Sequence, residues 1–372
     1  MTTRKPPSGT PGGDLLFAHS PGGIRLPRVR RVLVAFVMVF VALPVLVGAG
    51  GNSARSEHQR IVDFWTAERV AQAVPRDFVF NLSTGRFGPA HHNPGHGGGP
   101  GGGGPGGGDP SVITGVSYTA GGEVTGTTGK VLFALGGSYY VCSASVIDDT
   151  AANRSIILTA GHCVYDNEPG GEFATNWMFI PDYDAAPAPL DTQGNFCDAT
   201  LYGCWTATAL TVHNGFAQAG GFNDQAVLYD WGFAVVGEGG HDMTLLESEV
   251  GSQGYSFAPE AINATVTGWA FGYPAQKKFK GNDLIYCSNK IDGDPYNDND
   301  TYRMNQCKLN GGSSGGPWFK AFSGGSGMLI SVNSYGYGGV TAMHGPMFNS
   351  NTAATYNAAL TANGNTPVGV AP

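Results

Sequence analysis

The sequence predicts a predominantly β fold carried behind an export segment, and three observations predict it. From about Ser111 onward the chain runs as short strand-like stretches separated by turn residues. Glycine accounts for 59 of the 372 residues while charged residues make up only 13%, a balance that suits turns and weakens helices. All six cysteines follow an apolar N-terminal run, an arrangement suited to an oxidising compartment. A chain of this length can bury a sizeable core in one large domain or two smaller ones.

The strand assignments rest on β-branched and aromatic runs. Val131–Leu135 and Tyr139–Val146 flank Gly136-Gly137, a hairpin signal. Ser155–Leu158, Trp231–Val236, Ala264–Trp269 and Met328–Val332 are further strands. Thr352–Leu360 reads as a terminal helix. Strands throughout with one late helix fit a β-barrel or a sandwich.

The N-terminal part divides by composition. Residues 1–31 carry Arg4, Lys5, Arg25, Arg28, Arg30 and Arg31 against Asp14, a net +5 that leaves −13 on the remainder of a chain whose net charge is −8. An acidic body repels phosphate backbones, which excludes nucleic acid as the expected partner. Residues 32–50 are apolar and uncharged, long enough either for a membrane tether or for a secretory signal cut after Val47-Gly48-Ala49. In both cases the arginines hold the N-terminus inside and the rest is exported, secreted or membrane-anchored. Residues 1–55 form this basic and signal or anchor region.

Residues 56–90 read as a propeptide that packs on the rest of the chain, with a plain stalk as the alternative. Ser56 to Val74 has the pattern of one amphipathic helix, with Ser56 and Gln59 as a capping box, Phe64, Ala67, Val70, Ala71 and Val74 as the apolar stripe, and Pro75 as the stop. Residues 91–110 are a Gly/Pro/His linker that cannot build a core. His91, His92 and His96 have no carboxylate or thiol beside them and read as solvated rather than metal-binding. Residues 111–372 form the main domain. Its six cysteines, Cys142, Cys163, Cys197, Cys204, Cys287 and Cys307, read as three disulfides, with the connectivity open.

Three short segments carry chemistry. Leu158-Thr159-Ala160-Gly161-His162-Cys163 is a strand running into a small-residue turn. Asp230 heads the apolar strand Trp231–Val236. Gly311-Gly312-Ser313-Ser314-Gly315-Gly316-Pro317 places a serine on a glycine-framed loop. A serine hydroxyl becomes a competent nucleophile when an imidazole takes its proton and a carboxylate fixes the imidazole's tautomer. Glycines let the backbone approach a substrate and aim N–H groups at a developing oxyanion, with Gly312 N–H and Ser314 N–H as the expected donors. Each segment alone is more often structural, but the three occur together. Asp230 is preferred over Asp224 as the orienting acid, because the strand behind Asp230 would bury it.

Thr-Ala-Gly-His-Cys followed by Gly-Ser-Ser-Gly-Gly-Pro resembles the signature of trypsin-like, chymotrypsin-fold serine peptidases, in the bacterial branch that includes glutamyl endopeptidases. The resemblance covers roughly residues 131 to 356. It implies two six-stranded antiparallel β-barrels with a C-terminal helix, and a catalytic triad of His162 as general base, Asp230 as its orienter and Ser314 as nucleophile. It implies a Cys142–Cys163 bridge; proximity then favours Cys197 with Cys204 and Cys287 with Cys307. The implied partner is a protein or peptide substrate, with no cofactor and no metal. A protease homologue that binds without cleaving is the alternative reading.

The chain departs from that family at two places. Trypsin-type zymogens have an aspartate directly before the nucleophile, and here that residue is Ser313, so activation through its ion pair is unavailable and the propeptide is expected to be a folding aid or a steric block. The strand aligned with substrate binding, Ser331 to Gly336, has Asn333 where glutamate-specific relatives have histidine. Lys308 stands six residues before Ser314, where Arg or Lys specificity requires an aspartate. Asn333, Ser334, Tyr335, Gly336 and Lys308 are therefore the candidate substrate-binding residues, with Tyr337 and Gly338 at the rim. Asp292, Asp294, Asp298 and Asp300 form an acidic loop that fails the helix-flanked calcium pattern and reads as solvated.

Overall fold

The six-stranded barrel of the first half starts from the hairpin at Gly136-Gly137. Both glycines have positive φ, +56° and +79°, the conformation that lets a two-residue turn follow the twist of its strands. The turn joins Thr128–Leu135 to Ser138–Ile147. Ser155–Thr159, Gly232–Val236, Trp205–His213 and Thr175–Pro181 follow round the ring in that spatial order, every pairing antiparallel, until Thr175–Pro181 returns to Thr128–Leu135. All positions of Thr128–Leu135, Ser155–Thr159 and Gly232–Val236 are buried. The outer faces are covered too, so Val131–Leu135, Ile156–Leu158 and Phe233–Val236 read as continuous apolar runs instead of alternating ones. The structure, a computed structural model, describes residues 49–90, 111–185, 196–275 and 279–372.

The second half is a ten-strand sheet. Seven of its strands come from the C-terminal part: Asn263–Gly272, Ile285–Gly293, Thr301–Asn305, Pro317–Ser323, Ser326–Val332, Tyr335–Tyr337 and Ala342–Pro346. The ladders do not close this sheet into a second ring. Its curl brings Ser331 Oγ to Pro346 O at 2.7 Å. Three more strands are added, Ile113–Ser117 on Ile285–Gly293 and the hairpin Phe78–Asn81/Arg86–Pro89 on Tyr335–Tyr337. The terminal helix spans Ser350–Thr361, two residues earlier than its sequence pattern, because Asn349 caps it in a reciprocal box with Thr352. It packs on the first barrel, where Trp231 Nε1 donates to Thr355 Oγ1 and Tyr356 OH donates to Asp148 O.

The three disulfides are Cys142–Cys163, Cys197–Cys204 and Cys287–Cys307. The first ties the hairpin strand to the turn that carries His162.

Residues 57–90 differ from the single helix expected. A helix runs Ala49–Phe64, breaks, and resumes as Ala67–Gln72 with Thr66 capping it through Arg69 N. The break follows from Trp65, whose ring is buried and whose Nε1 donates to Asn176 O at 2.7 Å. The buried face is Ile61, Val62 and Trp65 rather than the expected stripe. Val74–Pro75 then pairs parallel with Tyr140–Val141. Pro75 thus begins extended chain instead of merely ending a helix. Residues 1–48, with nearly all of the apolar run, and 91–110, with His91, His92 and His96, for which the sequence predicts a signal or anchor and a linker, lie outside the described residues. Among the described residues no helix is long and apolar enough to cross a membrane.

Candidate active site

The histidine stands on a one-turn 3-10 helix, Gly161–Cys163, that the barrel strand Ser155–Thr159 delivers. His162 and Asp230 are both fully buried. His162 Nδ1 lies 2.8 Å from Asp230 Oδ2, and the His162 backbone N–H donates to Oδ1 of the same carboxylate at 2.8 Å. Ser334 Oγ donates a third bond to Oδ2 at 2.5 Å. A carboxylate only accepts, so Nδ1 carries the ring hydrogen and Nε2 is left as the ring's acceptor nitrogen. Among the described residues Nε2 has no hydrogen-bond partner. Asp224, the rival, instead opens the short helix Asp224–Val227.

The serine loop is fixed from both halves of the fold. Ser143, next to Cys142, donates its N–H to Ser314 O at 2.7 Å and its hydroxyl to Gly312 O at 2.9 Å, while accepting from Tyr273 N at 3.0 Å. Ser314 O also lies 3.7 Å from Cys163 Sγ, so the loop reaches the residue after His162. Two glycines are obligatory. Gly312 has φ +95°, and a Cβ there would stand 2.7 Å from Tyr273 O; at Gly315, with φ +79°, it would stand 2.0 Å from Thr159 Oγ1. Ser313, which replaces the zymogen aspartate, turns its hydroxyl to Asn310 O.

The candidate substrate residues separate. Asn333 is buried and its amide is spent internally, Nδ2 donating to Phe271 O and Ser313 O and Oδ1 accepting from Trp318 Nε1. Its backbone clamps the loop as well, with Gly315 N donating to Asn333 O and Asn333 N to Gly316 O. Asn333 thus ties down the Ser313–Gly316 loop from the second sheet. Lys308 is exposed. Ser334 belongs to the Asp230 network. Tyr335 and Tyr337 turn their hydroxyls inward to Asp294 Oδ2 at 2.7 and 2.6 Å, while the backbone of Tyr335–Tyr337, with Gly336 at its centre, is the edge on which Phe78–Phe80 pairs.

Asp294 is therefore a buried anchor for two tyrosines, not a member of a solvated acidic loop. Its Oδ1 lies 3.8 Å from His344 Nε2. His344 is buried and stacks on Tyr335; burial pushes its pKa down to about 4, so it is neutral near pH 7. Cys142, His162 and Cys163 converge in the way a metal site would, but both sulfurs are spent in the disulfide. Sequence reasoning missed Ser143, Asp294 and His344, which act only through non-local packing. It also missed Arg76 and Asp77, whose extended backbone was masked by a helical pattern ending at Val74.

Those two residues occupy the cleft. Asp77 Oδ1 accepts from Gly312 N and from Ser314 Oγ, each at 3.1 Å. Phe78 stacks on Phe222 at 4.0 Å and meets the His162 ring edge-on. Arg76, buried, donates to His162 O, to Tyr165 O at 3.0 Å and to Asp166 Oδ1 at 2.9 Å.

A closed barrel beside a second sheet, with a buried His–Asp pair and a glycine-framed serine on loops drawn together, defines a chymotrypsin-fold serine peptidase. Comparison with solved structures agrees. A protease called Anisep from Arthrobacter nicotinovorans matches at 37% identity and a TM-score of 0.55, over 67% of this chain and all of its own. A thermostable serine protease, AL20, from an extremophilic microorganism matches at 33% identity and a TM-score of 0.50, over 64% of this chain and 99% of its own. The chain belongs to this family of bacterial serine proteases and is a serine endopeptidase. No protein-family model matches it, and no curated protein does.

Proposed function

We propose that the protein is an exported endopeptidase that cleaves peptide bonds through Ser314, His162 and Asp230 by way of an acyl-enzyme. The observation that carries this reading is the triple hydrogen bonding of Asp230. It fixes the tautomer in which Nε2 can accept the Ser314 proton, and it stabilises the imidazolium that results. Attack by Ser314 Oγ on a peptide carbonyl would put negative charge on the carbonyl oxygen. Gly312 N–H, already turned to a carboxylate oxygen, is the donor for it, with Ser314 N–H as its partner. The imidazolium then protonates the leaving amine, and water repeats the sequence on the ester. Three disulfides and an apolar N-terminal run support export. Residues 56–90 are the propeptide, 91–110 the tether and 111–372 the catalytic domain.

The test is covalent labelling of the full chain with a fluorophosphonate, carried to its plateau. The label should sit on Ser314 by peptide mass mapping and be absent from S314A. Label on another residue, or label surviving in S314A, refutes the assignment.

A further inference from the structure

We propose that the cleft is a receptor for this chain's own Arg76-Asp77-Phe78, and that the Asp77 carboxylate is a built-in oxyanion ligand that keeps the enzyme latent. The inference rests on the triad reading above and names what regulates that site.

The carboxylate occupies the place of a reaction product. One of its oxygens accepts from Gly312 N and from Ser314 Oγ at 3.1 Å each, the two groups that would otherwise hold an oxyanion and attack a carbonyl. The nucleophile's hydroxyl is hydrogen-bonded to Asp77, while among the described residues His162 Nε2 has no hydrogen-bond partner. The pair that must exchange a proton is thus uncoupled. Hydrogen bonds donated to an ionised acceptor are the strong ones, so the hole is both filled and electrostatically satisfied.

The segment is held so that it is not cut. The backbone carbonyl of Asp77 accepts from Ala90 N at 3.0 Å. That bond belongs to the hairpin Phe78–Asn81/Arg86–Pro89, and the hole receives a side-chain carboxylate instead of a peptide carbonyl. Attack on a carboxylate carbon has no amine to expel, so no acyl-enzyme follows.

Three anchors hold the plug on both sides of the cleft. Ahead of it, Arg76 N donates to Val141 O and its guanidinium is buried among His162 O, Tyr165 O and Asp166. At the centre, Phe78 stacks on Phe222 and meets the His162 ring edge-on. Beyond it, Phe78–Phe80 adds a parallel strand to Tyr335–Tyr337, and Gly338 N donates to Phe80 O. This is strand addition to an open sheet edge. The recognised signature is a basic, an acidic and an aromatic residue in extended chain.

The test compares fluorophosphonate labelling rates at Ser314 in the full-length wild type, D77A and D77N. The phosphonyl oxygen must enter the hole that Asp77 fills, so the rate reads its vacancy. D77A should label at least tenfold faster than wild type. D77N, which keeps the shape and removes the charge, should also label several-fold faster, and it keeps the test decisive if D77A fails to fold. Rates equal to wild type in a folded variant overturn the proposal while Ser314 labelling leaves the triad reading standing. Absence of label from all three chains at plateau overturns the triad reading and the proposal with it.

Discussion

Lys130 gives the fold a pH dependence that can be worked out from its surroundings. It lies on the first barrel strand, almost wholly buried, with Nζ donating to Gly281 O at 3.0 Å and standing 4.1 Å over the Tyr183 ring. Burial lowers its pKa from 10.5 to about 8. Below about pH 8 the folded and unfolded chains both hold the proton, so the cost of burying the charge is present in full, about 3 kcal/mol at 1.36 kcal/mol per pKa unit. Between about 8 and 10.5 the unfolded chain keeps a proton that the folded chain has released. Stability therefore rises with pH across that window as far as this group is concerned. K130M removes the charge and keeps most of the volume, but it leaves Gly281 O without its donor, a loss of about 1 kcal/mol. The variant should be more stable than wild type by about 2 kcal/mol at pH 7 and less stable by about 1 kcal/mol once the pH passes 10.5, where only the lost hydrogen bond remains. Urea midpoints at the two pH values measure this. A stability difference that does not change with pH would refute the reasoning.

Two further substitutions test the site. D230N should keep the bond to the His162 backbone but present an amide N–H to Nδ1, forcing the wrong tautomer; hydrolysis of a peptide substrate should fall by about 10⁴ in kcat, as for this type of triad, and a loss below tenfold would deny Asp230 its role. N333A should strand the Trp318 indole N–H and free two carbonyls around Ser313 and Phe271, costing about 3 kcal/mol in denaturant unfolding if each unpaired group costs about 1 kcal/mol. If Asn333 instead faced substrate, N333A would change cleavage preference and leave the unfolding midpoint in place.

The parts of the structure that were legible in the sequence are those written locally. Gly136-Gly137 announces a turn needing positive φ twice, and the His162, Asp230 and Ser314 segments each combine one reactive side chain with the small or apolar neighbours its placement requires. The cysteine pairs close over short separations. What stayed hidden depends on partners far along the chain. Asn333 looked like a specificity residue because its alignment puts it on the substrate strand, yet its side chain turns inward to Trp318 and Ser313. Asp294 sat among aspartates with a hydrophilic pattern, and only the approach of Tyr335 and Tyr337 makes it a buried anchor. The segment after Phe64 was hidden for the opposite reason: its spacing is helical, but burying Trp65 against Asn176 and adding strands to two open edges outweighs helix propensity.

The placement of residues 57–90 bears on how such an enzyme can be kept silent without the aspartate that Ser313 replaces. Where latency depends on an internal ion pair, the serine loop changes shape on activation. Here the loop is already tied down: Ser143 and Asn333 bond it from both halves of the fold, and Gly312 N–H is turned toward the carboxylate in the cleft. A finished site can be silent only if it is occupied. The occupant has to touch both walls of the cleft, or it would swing clear while one end remained attached. The segment meets that requirement, since Val74–Pro75 pairs with a strand of the first barrel and Phe78–Asn81 with a strand of the second sheet, and Asp77 lies on the short stretch between them. Cutting the chain between residues 91 and 110 leaves every one of those contacts in place. On this geometry, the departure of the docked segment, and not the cut itself, sets the moment at which Ser314 becomes available.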